Sequence, residues 1–204
     1  ALLRTKYWFP SFSTFVQRVV RSCDTCQRFT KSNRKEPMRT NALPTKAFDS
    51  VSMDFKNLPD GKYALAVICL FSRFPMIYFV SSTSFKAIRK PLLNYFNLFG
   101  TPRVCKTDNG PPFSGQEFSE FASQHNFIHQ KTTPLHPQAN SEVESFFRNV
   151  IKSIARSKLN KTDYEEEIHQ MLKHKRACPH RMTAKSPYEL AFGRKMQIGS
   201  IEPM

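Results

Sequence analysis

Three carboxylates carry the chemistry that this sequence offers. Asp108 lies in the run Thr107-Asp108-Asn109-Gly110, and 35 residues separate it from Glu144. Asp54 sits upstream between apolar neighbours, in Val51-Ser52-Met53-Asp54-Phe55. Acids are poor choices for core-facing positions unless they are paired or bind a metal. Brought together, the three make a site for hard, oxygen-preferring cations such as Mg²⁺ or Mn²⁺. Two such ions about 3.5–4 Å apart activate a nucleophile and stabilise the leaving oxygen of a phosphodiester, which is strand chemistry on nucleic acid. Taken singly, each acid also has a plain structural reading. Glu144 can pair with Arg148 one helical turn on, worth roughly 0.2–0.5 kcal/mol, and Asp108 can serve as a turn residue before Asn-Gly.

The elements that must position these acids follow from hydrophobic spacing and turn residues. Phe15, Val16, Val19 and Val20 predict a short helix over Ser13–Arg21, followed by Cys23-Asp24-Thr25-Cys26 and a basic, aperiodic stretch from Arg28 to Lys46. Val51–Phe55, Tyr63–Phe71 and Pro75–Val80 read as three strands in meander order, with Pro59-Asp60-Gly61 as the first turn. A helical stretch from Ser84 to Phe99 contains Pro91, which places the true helix start near Lys90. Arg103–Thr107 is a fourth strand ending at Asp108. Ser114–His125 is a helix with Ser114 as N-cap, and Phe127–Gln130 is a fifth strand. The long helix from about Asn140 to Lys158 has the stripe Val143, Phe147, Val150, Ile151 and Ile154. Helices at about Asp163–Arg176 and Pro187–Phe192 complete an α/β layout with a mixed five-stranded sheet flanked by helices.

On the long helix, Glu144 stands about 100° around from Val143, at the margin of the buried stripe. Arg148, Lys152 and Arg156 follow at four-residue steps, so one ridge reads acid, base, base, base. Such a ridge binds metal at one end and phosphate along the rest.

Composition narrows the partners. Hydrophobic residues make up 40% of the 204, and nineteen are Phe, which is enough for a real core. No run of roughly 18 apolar residues is present, so no membrane span is expected. The start, Ala1-Leu2-Leu3-Arg4, lacks a signal-peptide pattern and an initiator Met, and points to a piece of a longer polyprotein. The net charge of +15 is uneven: residues 1–46 carry +8, residues 47–147 carry +1 and residues 148–204 carry +6. A near-neutral middle between basic ends suits a core held on a polyanion by its flanks. Five cysteines do not suggest a disulfide scaffold, and Cys69 and Cys105 in strand-like runs read as inert core thiols in a reducing, intracellular setting.

These residues resemble the D,D(35)E core of retroviral and retrotransposon integrases, and among them the integrases of gypsy-type LTR retrotransposon Pol polyproteins. Leu3-Arg4-Thr5-Lys6-Tyr7-Trp8-Phe9-Pro10 and Cys23-Asp24-Thr25-Cys26-Gln27 resemble the second half of that family's His-His-Cys-Cys zinc domain. Thr107-Asp108-Asn109-Gly110-Pro111-Pro112-Phe113 and His136-Pro137-Gln138-Ala139-Asn140 continue the match, as does the downstream Ser186-Pro187-Tyr188-Glu189-Leu190. The resemblance implies a ribonuclease-H-like fold with a small helical N-terminal segment. Its divisions would be 1–30 (the C-terminal half of a zinc-binding domain), 31–46 (basic linker), 47–160 (catalytic core) and 161–204 (post-core helices).

The same resemblance assigns Asp54, Asp108 and Glu144 as ligands of two Mg²⁺ or Mn²⁺ ions in a polynucleotidyl transferase that processes 3′ ends and joins element DNA to target DNA. Glu142 competes for the third place but is separated from Asp108 by 33 residues, not 35. Arg148 and Lys152, with Gln138 and Asn140 before the helix, would grip DNA. Cys23 and Cys26 would be two of four Zn²⁺ ligands, completed only in a longer chain; the pair His125 and His129 is a weak substitute for the missing histidines. Leu135, Ser141 and Ser145 stand where relatives often carry Tyr, Gly, and Arg or Asn. Self-association and action in the nucleus, or otherwise within the cell, follow from the resemblance. The competing reading is an inactive, integrase-derived DNA-binding or assembly protein.

Overall fold

The computed structural model describes residues 8–25, 44–132, 141–181 and 183–198. Cys26, Gln138, Asn140 and residues 31–43 of the expected linker lie outside the described residues. The chain divides into two compact units, Ala1–Asn41 and Ala42–Met204. In the first, α1 spans Phe12–Ser22 with none of its residues buried. Phe9 packs edge-on against Phe12 and Phe15, with ring centroids 5.1 and 5.8 Å apart.

In the second unit the chain runs β1 (Ser50–Asn57), β2 (Tyr63–Cys69), β3 (Pro75–Val80), α2 (Phe85–Phe99), β4 (Val104–Thr107), α3 (Gln116–Gln124), β5 (Ile128–Lys131), α4 (Ser141–Asn160), α5 (Tyr164–Ala177) and α6 (Pro187–Phe192). The five strands form one sheet in the order β3-β2-β1-β4-β5. The meander is antiparallel, and β4 and β5 add in parallel. Gly61 closes the first turn at φ +76°, a backbone conformation that suits glycine, while the Leu58 N–H donates to the Lys62 carbonyl at 2.9 Å. Pro59-Asp60-Gly61 therefore acts as the sequence predicts.

The two faces of the sheet are built differently. One face puts Val51, Met53, Leu65, Val67 and Cys105 against Ile88, Leu92, Tyr95 and Phe96 of α2 and Phe118 and Phe121 of α3. Aromatic rings dominate it; Phe96 stacks on Phe121 with centroids at 5.7 Å and an interplanar angle of 16°. On the opposite face β2 offers the small side chains Ala64 and Ala66, and the buried Ser50 and Ser52 of β1 alternate with the aromatic-side residues. Small residues there let α4 lie close, with Val143, Phe146, Phe147, Val150 and Ile154 buried beneath it. Ile168 and Leu172 of α5 complete this second core.

Several sequence expectations shift. Pro91 does not mark the start of α2: the helix begins at Phe85 and carries Pro91 inside it. The proline forfeits one backbone hydrogen bond, but Ile88, fully buried ahead of it, anchors the preceding turn in the aromatic core. Helix α3 starts at Gln116 with Gly115 as its N-cap, one residue after the expected Ser114: the Gly115 carbonyl accepts the first helical hydrogen bond, from the Ser119 N–H at 3.3 Å. On α4, Phe146 belongs to the core while Ile151 is 46% exposed, so the buried stripe runs on the other side of Phe147 from the one expected.

The last helices pack onto this unit. Asp163 caps α5 by accepting from the Glu165 N–H at 3.1 Å. Three glutamates follow in its first turn, and His174, Lys175 and Arg176 occupy its last, complementing the helix dipole at both ends. Arg176 donates from Nε and Nη2 to the Pro75 carbonyl at 3.0 and 2.9 Å and lies 4.8 Å from the Phe74 ring centroid. Among the described residues, no helix is long and apolar enough to cross a membrane.

Substituting Phe121→Ala is expected to cost about 3–5 kcal/mol in a urea titration, since it opens a cavity within the aromatic face. Ile151→Ala is expected to change stability by no more than about 0.5 kcal/mol, because its side chain is largely in solvent.

Candidate functional site

The site begins with a strand register. β1 pairs with β4 in parallel, Ser50 opposite Val104 and Ser52 opposite Lys106. Continued by two residues, the same register sets Asp54 beside Asp108. Asp54 also pairs with Ala66 of β2, so it shares the face on which α4 packs. Glu144 is exposed in the first turn of α4, next to the fully buried Val143, as the helical spacing predicts.

Electrostatics reports that the three acids are neighbours. Asp54 is partly buried, and its pKa is pushed up from 3.8 to about 6. Burial is the main cause, and the negative charges of Asp108 and Glu144 add to it. Opposing them, the Phe55 N–H donates to Asp54 Oδ1 at 2.7 Å, and Lys56 contributes a smaller favourable field. Among the described residues none of the three carboxylates is ion-paired.

Asp108 stands at the tip of β4 with its side chain in solvent. Gly110 leaves room here: a Cβ at that position would sit 3.0 Å from Asp108 Oδ2 and would make the carboxylate shift. The peptide before Asp108 is tied to β5. Thr132 donates to the Thr107 carbonyl from its N–H at 2.9 Å and from Oγ1 at 3.0 Å. Thr107 Oγ1 donates to the Asp108 carbonyl at 2.7 Å and also meets His129 Nε2 at 2.8 Å.

The donor set suits a hard divalent cation: all oxygen, negatively charged and, among the described residues, without an ion-pair partner. Among the described residues no group of three or more His, Cys, Asp or Glu lies close enough together to hold an ion.

Other expected site residues are placed as follows. Glu142 pairs with Arg73 of the β2–β3 turn, away from the other acids. Arg148 and Lys152 are exposed along α4 and unpaired among the described residues. Arg156 does not continue their ridge as a free cation, because its Nη2 lies 2.6 Å from Glu167 Oε2 on α5. Lys152 and Arg156 instead edge a cleft of about 510 Å³ between α4 and α5, shared with His174 and Lys175. His125 and His129 do not form a metal pair: His125 packs on Phe121 at 4.4 Å, while His129 meets Thr107. Cys23 follows α1 as its C-cap residue, and Cys69 and Cys105 are buried core thiols. The Thr107–His129 contact had no signal in the sequence, since it depends on two strands meeting in space.

Residues 44–137 match the integrase core domain family, and residues 1–32 match the integrase zinc binding domain family. The core match ends before Glu144. The retrovirus-related Pol polyprotein from transposon gypsy of Drosophila melanogaster is 27% identical over 74% of this chain, which spans 15% of that polyprotein's length. Among solved structures, the simian T-cell lymphotropic virus intasome in complex with the PP2A regulatory subunit B56 gamma has a chain that superposes with a TM-score of 0.72 at 16% identity. That match covers 96% of this chain and 72% of the other. The HTLV-2 integrase catalytic core domain in complex with magnesium, in its trimeric form, gives a TM-score of 0.61 at 16% identity, over 72% of this chain and 98% of that one. The fold is therefore the ribonuclease-H-like fold of integrase cores, as the sequence implied.

With a native pKa of about 6 against 3.8, ionised Asp54 costs the metal-free fold stability. That cost is absent below about pH 4, where the carboxyl is protonated folded or unfolded, grows between about pH 4 and 6, and is complete above. Asp54→Asn is therefore expected to be more stable than the parent above pH 6 in chelator, by roughly 1 kcal/mol once the partial exposure of the carboxylate is allowed for. The two melting curves should converge near pH 4.

Proposed function

From the chain's membership of the integrase family of retroelement Pol polyproteins, we propose that Asp54, Asp108 and Glu144 hold divalent metal for 3′-end processing and strand transfer of element DNA into target DNA. The observation that carries this reading is the parallel β1–β4 register, which sets Asp54 beside Asp108 on the face over which α4 carries Glu144. When bound, Mg²⁺ or Mn²⁺ would supply an activated water or 3′-hydroxyl and stabilise the leaving 3′-oxygen of the phosphodiester.

The protein's own groups do the positioning. Asp54 is carried on a strand buried on both faces, which fixes its backbone. Asp108 is carried on a strand tip pinned through Thr107, and Gly110 keeps the space beside its carboxylate clear. Glu144 comes from a helix seated on the small-residue face, so its approach is set by Val143 and Phe147 below. Arg148, one turn beyond Glu144, offers a guanidinium that is exposed and unpaired among the described residues for the backbone of the DNA end, and Lys152 extends the positive track by another turn. Gln138 and Asn140, in the segment before α4, would position the strand by hydrogen bonding. A near-neutral core with basic flanks fits a polyanionic substrate. Cys23 and Cys26 would contribute to a Zn²⁺ site with histidines from a longer chain, and the active assembly would be a multimer acting in the nucleus.

The deciding assay is joining of a labelled, recessed DNA end to plasmid with Mg²⁺ or Mn²⁺. The parent chain is expected to give joined product, and Asp108→Asn to lose at least about a hundredfold of that rate, as removal of a metal ligand should. Joining by Asp108→Asn at the parental rate would sink the two-metal reading. DNA binding without joining by the parent would instead favour a DNA-binding or assembly role.

Arg148→Ala is expected to weaken binding of the DNA end by a similar factor for every sequence. It should also reduce the slope of log affinity against log salt by about 1, the signature of one lost phosphate contact. An unchanged salt slope in a fluorescence-anisotropy series would remove Arg148 from the DNA path.

A further inference from the structure

We propose that His129 is a positioning residue for Asp108, acting through the Thr107 hydroxyl; this rests on the reading of Asp108 as a metal ligand. Thr107 is fully buried at the end of β4, with Oγ1 at 2.7 Å from the Asp108 carbonyl oxygen and 2.8 Å from His129 Nε2. A hydroxyl has one proton to give, and a carbonyl can only accept. Both contacts are satisfied together only when Thr107 donates to Asp108 and His129 donates to Thr107. That requires the imidazole to carry its proton on Nε2.

The surroundings hold the ring to this role. The ring of Phe118 packs edge-on against His129 with centroids 4.7 Å apart, which fixes its plane. Burial, with the charge of Lys131 behind it, holds the imidazole below its ordinary pKa, so the ring is neutral near pH 7. The neighbouring carbonyl, that of Thr107, is gripped by both donors of Thr132. Two consecutive carbonyls are thus fixed from β5 and the residue after it. Immediately beyond them come Asn109 and Gly110, which leave little to steady an exposed carboxylate from the other side. The direction of the Asp108 side chain therefore depends on the two peptides that flank its Cα: the one before it is held by Thr132, and the one after it by a hydroxyl rotor locked by His129. Loss of the imidazole leaves the Thr107 rotamer unfixed without touching any carboxylate.

The test reads metal binding and tautomer state on the full chain, apart from joining activity. Mg²⁺ alone is titrated while the melting temperature is followed. His129→Ala is expected to need about tenfold more Mg²⁺ than the parent for half of the thermal shift, the usual scale for loss of a group supporting a metal ligand. His129→Gln, whose amide N–H can replace Nε2–H, is expected to stay within about twofold. Should His129→Ala fail to fold, Thr107→Val, of similar volume but without the hydroxyl, carries the same tenfold expectation. In ¹⁵N spectra of the parent the imidazole proton is expected on Nε2. A parental Mg²⁺ response in His129→Ala alongside a lost response in Asp108→Asn would overturn the positioning role alone, as would a proton found on Nδ1. A parental response in Asp108→Asn would bring down the metal-ligand premise and the proposal with it.

Discussion

The parallel ladder between β1 and β4 brings together two strands that the chain makes far apart, with a hairpin meander and α2 between them. Its register decides where Asp54 falls relative to Asp108. Side chains on a strand alternate between faces, so a slip of one residue would turn Asp54 into the aromatic core and bring Met53 out under α4. Such a slip would bury an unpaired carboxylate among Phe113, Phe118 and Tyr95, and the desolvation penalty would forbid it. The apolar residues that hold the register, Val51, Met53 and Cys105 against Ile88 and Leu92, are therefore also the residues that place the acids. Fold and site share one constraint.

The asymmetry between the two faces follows from the same requirement. One face is filled with rings, which lock α2 and α3 rigidly behind the strands. The other is lined with Ser and Ala, which let α4 come close enough for Glu144 to reach the field of Asp54. A bulkier side chain at Ala66, directly opposite Asp54, would lift the helix and separate the third acid from the other two. Helix α5 reinforces this seat through the Arg156–Glu167 pair and through Lys62, whose Nζ lies 2.8 Å from Glu165 Oε1. These pairs are exposed and individually weak; the buried contacts of Ile168 and Leu172 do most of the holding.

Much of this was readable before any coordinates. Strand β3 and helix α6 have the bounds that periodicity and turn chemistry predict, and the α/β order is the one the spacing implies. Glu144 sits at the rim of the stripe because a 3.6-residue repeat leaves no choice once Val143 is buried. What failed was reasoning from one local rule where packing decides. Pro91 reads as a helix start, but Ile88 and Phe85 are held in the core and extend the helix past it. Ile151 and Phe146 are equally apolar, and only the tilt of α4 on the sheet selects Phe146. Arg156 reads as one more free cation on a ridge until α5 folds back and presents Glu167. His125 and His129 look like a spaced pair, yet the turn at Asn126, with φ +55°, sends them to different neighbours. Each of these outcomes turns on a partner distant in sequence, which no single-segment pattern carries.

The arrangement of the three carboxylates also has a physical logic. Asp54 turns one oxygen to its own chain, accepting from the Phe55 N–H at 2.7 Å. Holding an ionised acid partly buried beside two others works against the fold, and only a cation at the site can convert that repulsion into attraction. The protein spends stability to keep the carboxylates near one another, offsetting it with the aromatic core on the far side of the same strands. The rigidity behind Asp54 and the tethering behind Asp108 then have one purpose. They limit how far the acids can retreat from one another, so that in the proposed role the reorganisation left for a divalent ion would be small, and binding energy would go into the site rather than into folding the strand ends.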